Sequence, residues 1–144
     1  MLTVVEKVIS LQDVDIFSQV PTEQLAALAA IAREEEFADG EAIYQERDPA
    51  DAMFLLVEGQ VCLLRGDQEV QVLDPKDTFG TWALFVDEPR LFTAVARGPC
   101  RLLKLDKEDF IDLLADNVAV TQGVLTGFVN KIRPLLELAG GWGQ

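Results

Sequence analysis

The sequence predicts a mainly β fold with flanking helices: an eight-stranded antiparallel, jelly-roll-like β-roll, with N-terminal helices before it and two C-terminal helices after it. Three observations predict this. Turn signals punctuate the stretch from Glu36 to Asp106 at Asp39-Gly40, Asp48-Pro49, Glu58-Gly59, Gly66-Asp67, Asp74-Pro75 and Gly98-Pro99. Strand-length apolar pieces lie between them: Ala42 to Gln45, Met53 to Val57, Val61 to Leu64, Val70 to Leu73, Leu91 to Ala96 and Leu102 to Leu105. Short strands separated by regular turns argue for a closed antiparallel architecture. Outside that stretch the apolar spacing becomes helical. A chain of 144 residues, 49% of them hydrophobic, suits one core. We therefore expect a single domain, helical over 1–33, a β-roll over 34–106 and helical over 107–139.

The elements follow in order. Leu2, Val5, Val8 and Ile9 give the stretch from Leu2 to Ser10 one apolar face, as in a short amphipathic helix. Pro21 and Thr22 before Glu23 mark a second helix start, and Leu25, Leu28, Ala29 and Ala32 share its buried side. After the roll, Asp106 and Asp109 resemble a capping box ahead of Phe110, Ile111, Leu113 and Leu114. Asn117 is placed to cap a last helix in which Leu125, Phe128, Ile132 and Leu135 keep heptad-like spacing. Pro134 should kink or end that helix, and Gly140-Gly141 should stop it. The seam either packs on its own domain or joins two copies as a homodimer.

Composition removes several function classes. Histidine is absent, which excludes Ser-His-Asp and Cys-His catalysis and the histidine metal sites of β-roll enzymes. No carboxylates or lysines pair into an alternative, so we expect no enzyme, no metal and no required cofactor. A net charge of −13, with only Lys131 and Arg133 close together on one helix, opposes direct nucleic-acid binding. No run is long and apolar enough to span a membrane, and no signal peptide opens the chain; a cytoplasmic location is expected. Cys62 and Cys100 stand in apolar runs and read as small buried hydrophobes.

The chemistry concentrates between Asp77 and Val95. Phe79-Gly80-Thr81-Trp82-Ala83-Leu84-Phe85 places a glycine at a strand end before a single helical turn, whose first amides lack internal acceptors and suit an anion. Arg90, after Pro89 at a strand start, can return to the same spot with a bidentate guanidinium.

In combination, F-G-x-x-A-L followed by P-R and T-x-V resembles the phosphate-binding cassette of cyclic-nucleotide-binding domains. The resemblance runs over nearly the whole chain, through Leu11 to Leu28, Asp39-Gly40-Glu41, Phe54 to Gly59 with Val61, and Leu102 to Leu114. It implies an eight-stranded β-roll and a last helix that acts as a lid. It also implies a sensing module tied to an effector domain or partner protein. Arg90 then matches the arginine that grips the cyclic phosphate, Gly80 the cassette glycine, and Ala83 and Leu84 the short helix whose amides face the phosphate. Thr81 stands where the family has the glutamate that holds the ribose 2′-hydroxyl. Loss of that charge-assisted bond costs on the order of 1.5–3 kcal/mol. Leu91 and Phe92 replace the small residues that usually follow the arginine, and either fill the pocket or serve as core. Arg47 and Lys76 occupy turn positions that commonly hold glycine in the family. Trp82 packs or stacks on a purine, and Thr126 and Asn130 are polar candidates on the lid.

Two functions follow. One is a non-catalytic sensor that binds cAMP or cGMP with weakened affinity through Gly80, Thr81, Trp82, Ala83, Leu84, Arg90, Leu91 and Phe92. The alternative is a ligand-free degenerate module acting as a scaffold or in protein–protein interaction. The residues after Asn117 leave no room for a helix-turn-helix, so any DNA-binding regulator would be represented here by its sensor half alone.

Overall fold

A computed structural model describes residues 1–140. Its helices are α1 (Val4–Gln12), α2 (Thr22–Ile31), α3 (Lys107–Asp116) and α4 (Val118–Leu138), with short 3₁₀ turns η1 (Asp15–Phe17) and η2 (Thr81–Leu84). The strands are β1 (Ala32–Phe37), β2 (Ala42–Tyr44), β3 (Ala52–Arg65), β4 (Gln68–Leu73), β5 (Thr78–Phe79) and β6 (Thr93–Asp106). The antiparallel roll with flanking helices is as expected, but among the described residues it has six strands rather than eight. Two pairs of expected strands are continuous. Met53–Val57 runs on into Val61–Leu64 as β3, and the end of Leu91–Ala96 runs on into Leu102–Leu105 as β6.

Glu58-Gly59 and Gly98-Pro99 are therefore bends within long strands and not the ends of short ones. The β3–β6 register shifts between Leu56 and Glu58 and again between Glu58 and Gln60, and such bulges add twist and curl a long hairpin. Gly59 makes the tightest bend at φ +91°, where a Cβ would lie 2.5 Å from the Pro99 carbonyl oxygen. Only glycine fits there.

The strands order as β1-β6-β3-β4, with β2 added on β6 and β5 on β3. Alternation along the strands divides the apolar side chains between two cores. Met53, Leu55, Leu103 and Leu105 face the helices and join Phe17, Leu25, Leu28, Phe110 and Val120. Phe54, Leu56 and Leu102 point into the roll with Val61, Leu73 and Phe79. Cys62 and Cys100 are buried and free of disulfides, and burial pushes both thiols above their usual range.

Helix ends show where local signals hold. Thr3 and Glu6 form a reciprocal capping box on α1, a signal the hydrophobic spacing alone did not reveal. Asn117 caps α4 by accepting from the Val120 amide at 3.0 Å, and its amide nitrogen donates to Gln24 of α2 at 2.9 Å. Asp106, expected to cap α3, does not do so. Its carboxylate pairs instead with Arg33 on β1 and lies 3.8 Å from Lys104. Pro134 does not end α4, which continues to Leu138. Both Pro134 and Asn130 are exposed there, so water can satisfy the carbonyl that the proline leaves without a donor. The stop expected at Gly140-Gly141 lies partly outside the described residues, as does the tail after it.

α4 sits unusually close to η1. A Cβ at Gly123 would lie 2.8 Å from Val20 Cα, and one at Gly127 would lie 2.8 Å from the Ile16 carbonyl oxygen. Two helix-face glycines thus bring the last helix directly onto the backbone of the N-terminal segment.

Candidate functional site

Arg90 is held by its backbone before its side chain is considered. Its amide donates to the Asp48 carbonyl at 2.8 Å, its carbonyl accepts from the Arg47 amide at 2.9 Å, and Pro49 and Pro89 form a bridge beside them. Arg47 sits in the left-handed region at φ 74°, and Lys76 does the same at φ 83°. The turn geometry that favours glycine at these two positions is retained by other residues.

The Arg90 side chain turns inward and is only 6% exposed. Its Nη2 donates to the Ala52 carbonyl oxygen at 2.7 Å. The guanidinium carbon lies 4.1 Å from the centre of the Tyr44 ring, a cation–π stack. The nearest carboxylate, Asp51, is 3.9 Å away and its side chain is 77% exposed. Nε has no partner. Burial accordingly lowers the guanidinium pKa from its usual value. A buried cation with one neutral carbonyl as its hydrogen-bond partner is costly unless another group completes it.

Gly80 is the floor of this arrangement. It closes β5 at φ +73° and opens η2, and a Cβ there would lie 2.6 Å from Arg90 Nη1. The glycine is required both for its backbone angle and for the approach of the guanidinium. In η2 the Ala83 amide already donates to the Gly80 carbonyl at 3.0 Å. The amides without an acceptor in the turn are therefore those of Thr81 and Trp82, not that of Ala83. Ala83 and Leu84 are buried beneath the turn.

A hollow of about 620 Å³ opens above Arg90, bordered by Tyr44, Leu73, Phe79, Gly80, Thr81, Arg90 and Phe92 on the roll side. That volume is in the range of small-molecule sites. The expectation that Leu91 begins a strand is not met, because β6 starts at Thr93. Leu91 is 60% exposed at the rim. Phe92 packs on the interior core with the Arg65 guanidinium 5.2 Å from its ring centre. Neither residue closes the hollow. Of the two expectations for Trp82, packing or stacking on a purine, packing is not met: it is 75% exposed. Four-residue η2 buries its Ala83 and Leu84 side and leaves Trp82 on the other, between the hollow and a smaller apolar dimple near Leu125.

On the α4 side the expected polar candidates fall elsewhere. Thr126 is exposed and donates to the Gln122 carbonyl of its own helix at 2.9 Å, and neither it nor Asn130 borders the hollow. α4 presents Phe128, Lys131, Ile132 and Leu135 instead. Tyr44 and Lys131, which border the hollow, and Asp51, which lies 3.9 Å from Arg90, are among the residues that sequence reasoning missed. Each arrives from a segment remote from the cassette, and the left-handed turn at Arg47 beside Asp48-Pro49 was the one local hint that this loop supports the arginine.

The architecture defines a β-roll domain with a hollow over a buried arginine, closed on one side by a terminal helix. The sequence model for the cyclic nucleotide-binding domain matches residues 34–117, and this chain belongs to that family. It is 33% identical over 108 residues to a cAMP-dependent protein kinase regulatory subunit of Dictyostelium discoideum, covering 69% of this chain and 33% of that protein. It is 27% identical over 123 residues to the corresponding subunit of Yarrowia lipolytica, covering 85% of this chain and 33% of that one. The chain thus spans about a third of the length of these curated relatives. Among solved structures, the N-terminal domain of a transcriptional regulator from Streptomyces coelicolor A3(2) superposes with a TM-score of 0.82 at 27% identity, covering 88% of this chain and 94% of that one. The regulatory domain of Toxoplasma gondii PKA, solved with cAMP, shares the fold at a TM-score of 0.71 and 22% identity, covering 89% of this chain and 50% of that one.

Proposed function

We propose that this domain is a non-catalytic sensor for a cyclic nucleotide, cAMP or cGMP, acting on an effector domain or partner protein in the cytoplasm. The observation that carries this reading is the buried Arg90 guanidinium, which has one carbonyl partner and only a loose, exposed carboxylate at 3.9 Å, next to a turn whose Thr81 and Trp82 amides lack acceptors within it. A cyclic phosphate placed there completes the arginine's hydrogen bonding with a closer charge partner. The ribose and base extend through the hollow toward α4, and a change in the position of α4 is the output.

The reading includes a reduced affinity. Thr81 offers a neutral hydroxyl where the family has a carboxylate, and loss of that charge-assisted bond corresponds to roughly a 10- to 150-fold weaker Kd. Thr81, Leu91 and Phe92 favour the ligand-free alternative; the exposed placement of Leu91 and the core placement of Phe92 weigh against the pocket-filling part of it. The exposed seam of α4, with Leu125, Ile132 and Leu135 uncovered, supports the further reading of a homodimer through the last helix.

Thermal unfolding with cAMP and with cGMP tests the sensor reading. Ligand at 100 times its Kd adds about 2.7 kcal/mol, a rise of roughly 5–10 °C in Tm at this size. No shift with either nucleotide at millimolar concentration rejects it. Thr81→Glu should tighten binding by roughly 10- to 150-fold, and an unchanged Kd would remove the ribose argument.

A further inference from the structure

We propose that Lys131 on α4 makes the hollow select a guanine over an adenine base; the inference rests on the cyclic-nucleotide reading above. α4 borders the hollow with Phe128, Lys131, Ile132 and Leu135. Three of these are apolar and cannot distinguish two purines by hydrogen bonding. Lys131 alone brings a polar tip to that wall, and an ammonium carries three donors and no acceptor.

The other cation at the hollow is already committed. Arg90 is anchored on the roll by the Ala52 carbonyl and the Tyr44 ring, so it serves the phosphate end and leaves the base to the helix. Lys131 is not committed. Its Nζ lies 3.8 Å from Asp15 of η1, and the two side chains are 60% and 82% exposed. An ion pair this open contributes little, so exchanging Asp15 for a ligand acceptor is nearly free of cost.

The chemistry of the two bases then decides. The major-groove edge of guanine presents N7 and O6, both acceptors, whereas adenine presents N7 beside the N6 amino donor. A donor-only ammonium makes two charge-assisted bonds to guanine and faces a second donor on adenine. The remaining polar side chains do not reverse this preference. Gln71, Thr78 and Thr81 each carry donor and acceptor capacity. Glu88, an acceptor, borders the hollow and stands two residues before Arg90 in the chain, on a segment other than α4.

Calorimetric titration of the full chain with the 3′,5′-cyclic phosphates of guanosine, inosine and adenosine tests the assignment. Inosine keeps N7 and O6 and lacks the 2-amino group, so it isolates the edge that Lys131 would read. The guanosine and inosine ligands should bind at least about fivefold tighter than the adenosine ligand. Lys131→Met should bring all three Kd values within about twofold of one another, while Lys131→Arg and Asp15→Asn keep the preference. Equal affinities in the parent chain overturn the proposal. So does a guanosine preference that survives in Lys131→Met, or one that inosine does not share. Either result leaves the sensor reading standing. Failure of all three nucleotides to bind overturns the sensor reading and this inference together.

Discussion

Arg90 shows how one side chain links stability to recognition. Its charge is buried with a single carbonyl partner and an exposed carboxylate 3.9 Å away, so the folded state gains little from it before a ligand arrives. Arg90→Met keeps an apolar stem over Tyr44 and removes the charge. The unliganded variant should melt within roughly 3 °C of the parent, whereas binding of a cyclic nucleotide should weaken by at least about 100-fold. Tm with and without cAMP or cGMP measures both at once. A large fall in the unliganded Tm would instead assign the guanidinium to the fold. Lys76 carries strain of another kind, at φ 83°. A non-glycine residue in this region costs roughly 1–2 kcal/mol, and glycine returns part of that in unfolded-state entropy. Lys76→Gly should therefore raise stability in urea unfolding by up to about 1 kcal/mol, with nucleotide affinity unchanged.

At the scale of elements, α4 has two unlike faces. One is fixed: Val120, Gly123, Val124 and Gly127 are buried, and the two glycines lie on the backbone of η1 and Val20. The other is uncovered along Leu125, Val129, Ile132 and Leu135. An apolar flank at this spacing matches what a helix pair buries. Leu125→Glu should give a monomer by light scattering under conditions where the parent chain is a dimer; a monomeric parent would remove the self-association reading. Ile132 and Leu135 also border the hollow, so on the proposed reading self-association and ligand closure compete for the same residues of one helix. η2 is the complementary case: a turn too short to bury all its side chains keeps Ala83 and Leu84 inside and leaves Trp82 out.

Across the whole molecule, an aromatic chain joins the N-terminal segment to the residue after η2 and to α4. Phe110 of α3, fully buried, lies 6.3 Å from Phe17 and 5.7 Å from Phe85, and Phe85 meets Phe128 of α4 at 4.7 Å between ring centres. Phe110→Ala should cost about 3–5 kcal/mol, a large share of the stability of a domain of this size, read from the urea midpoint. A loss under 1 kcal/mol would show that the three segments hold together without it. Most of this architecture was legible in the chain. Turn dipeptides, strand alternation and the Asn117 cap act over a few residues, so the sequence by itself determined the roll and its flanking helices. It could not tell a turn from a bend at Glu58-Gly59 or Gly98-Pro99, because that depends on the register of β3 against β6. Nor could it place Tyr44 or Lys131 at the hollow and Asp51 near Arg90, or turn Leu91 and Trp82 away from the core. Those outcomes were decided by tertiary structure alone: the groups around the guanidinium come from segments some 40 residues apart in the chain, and only the closed strand register brings them within hydrogen-bonding reach.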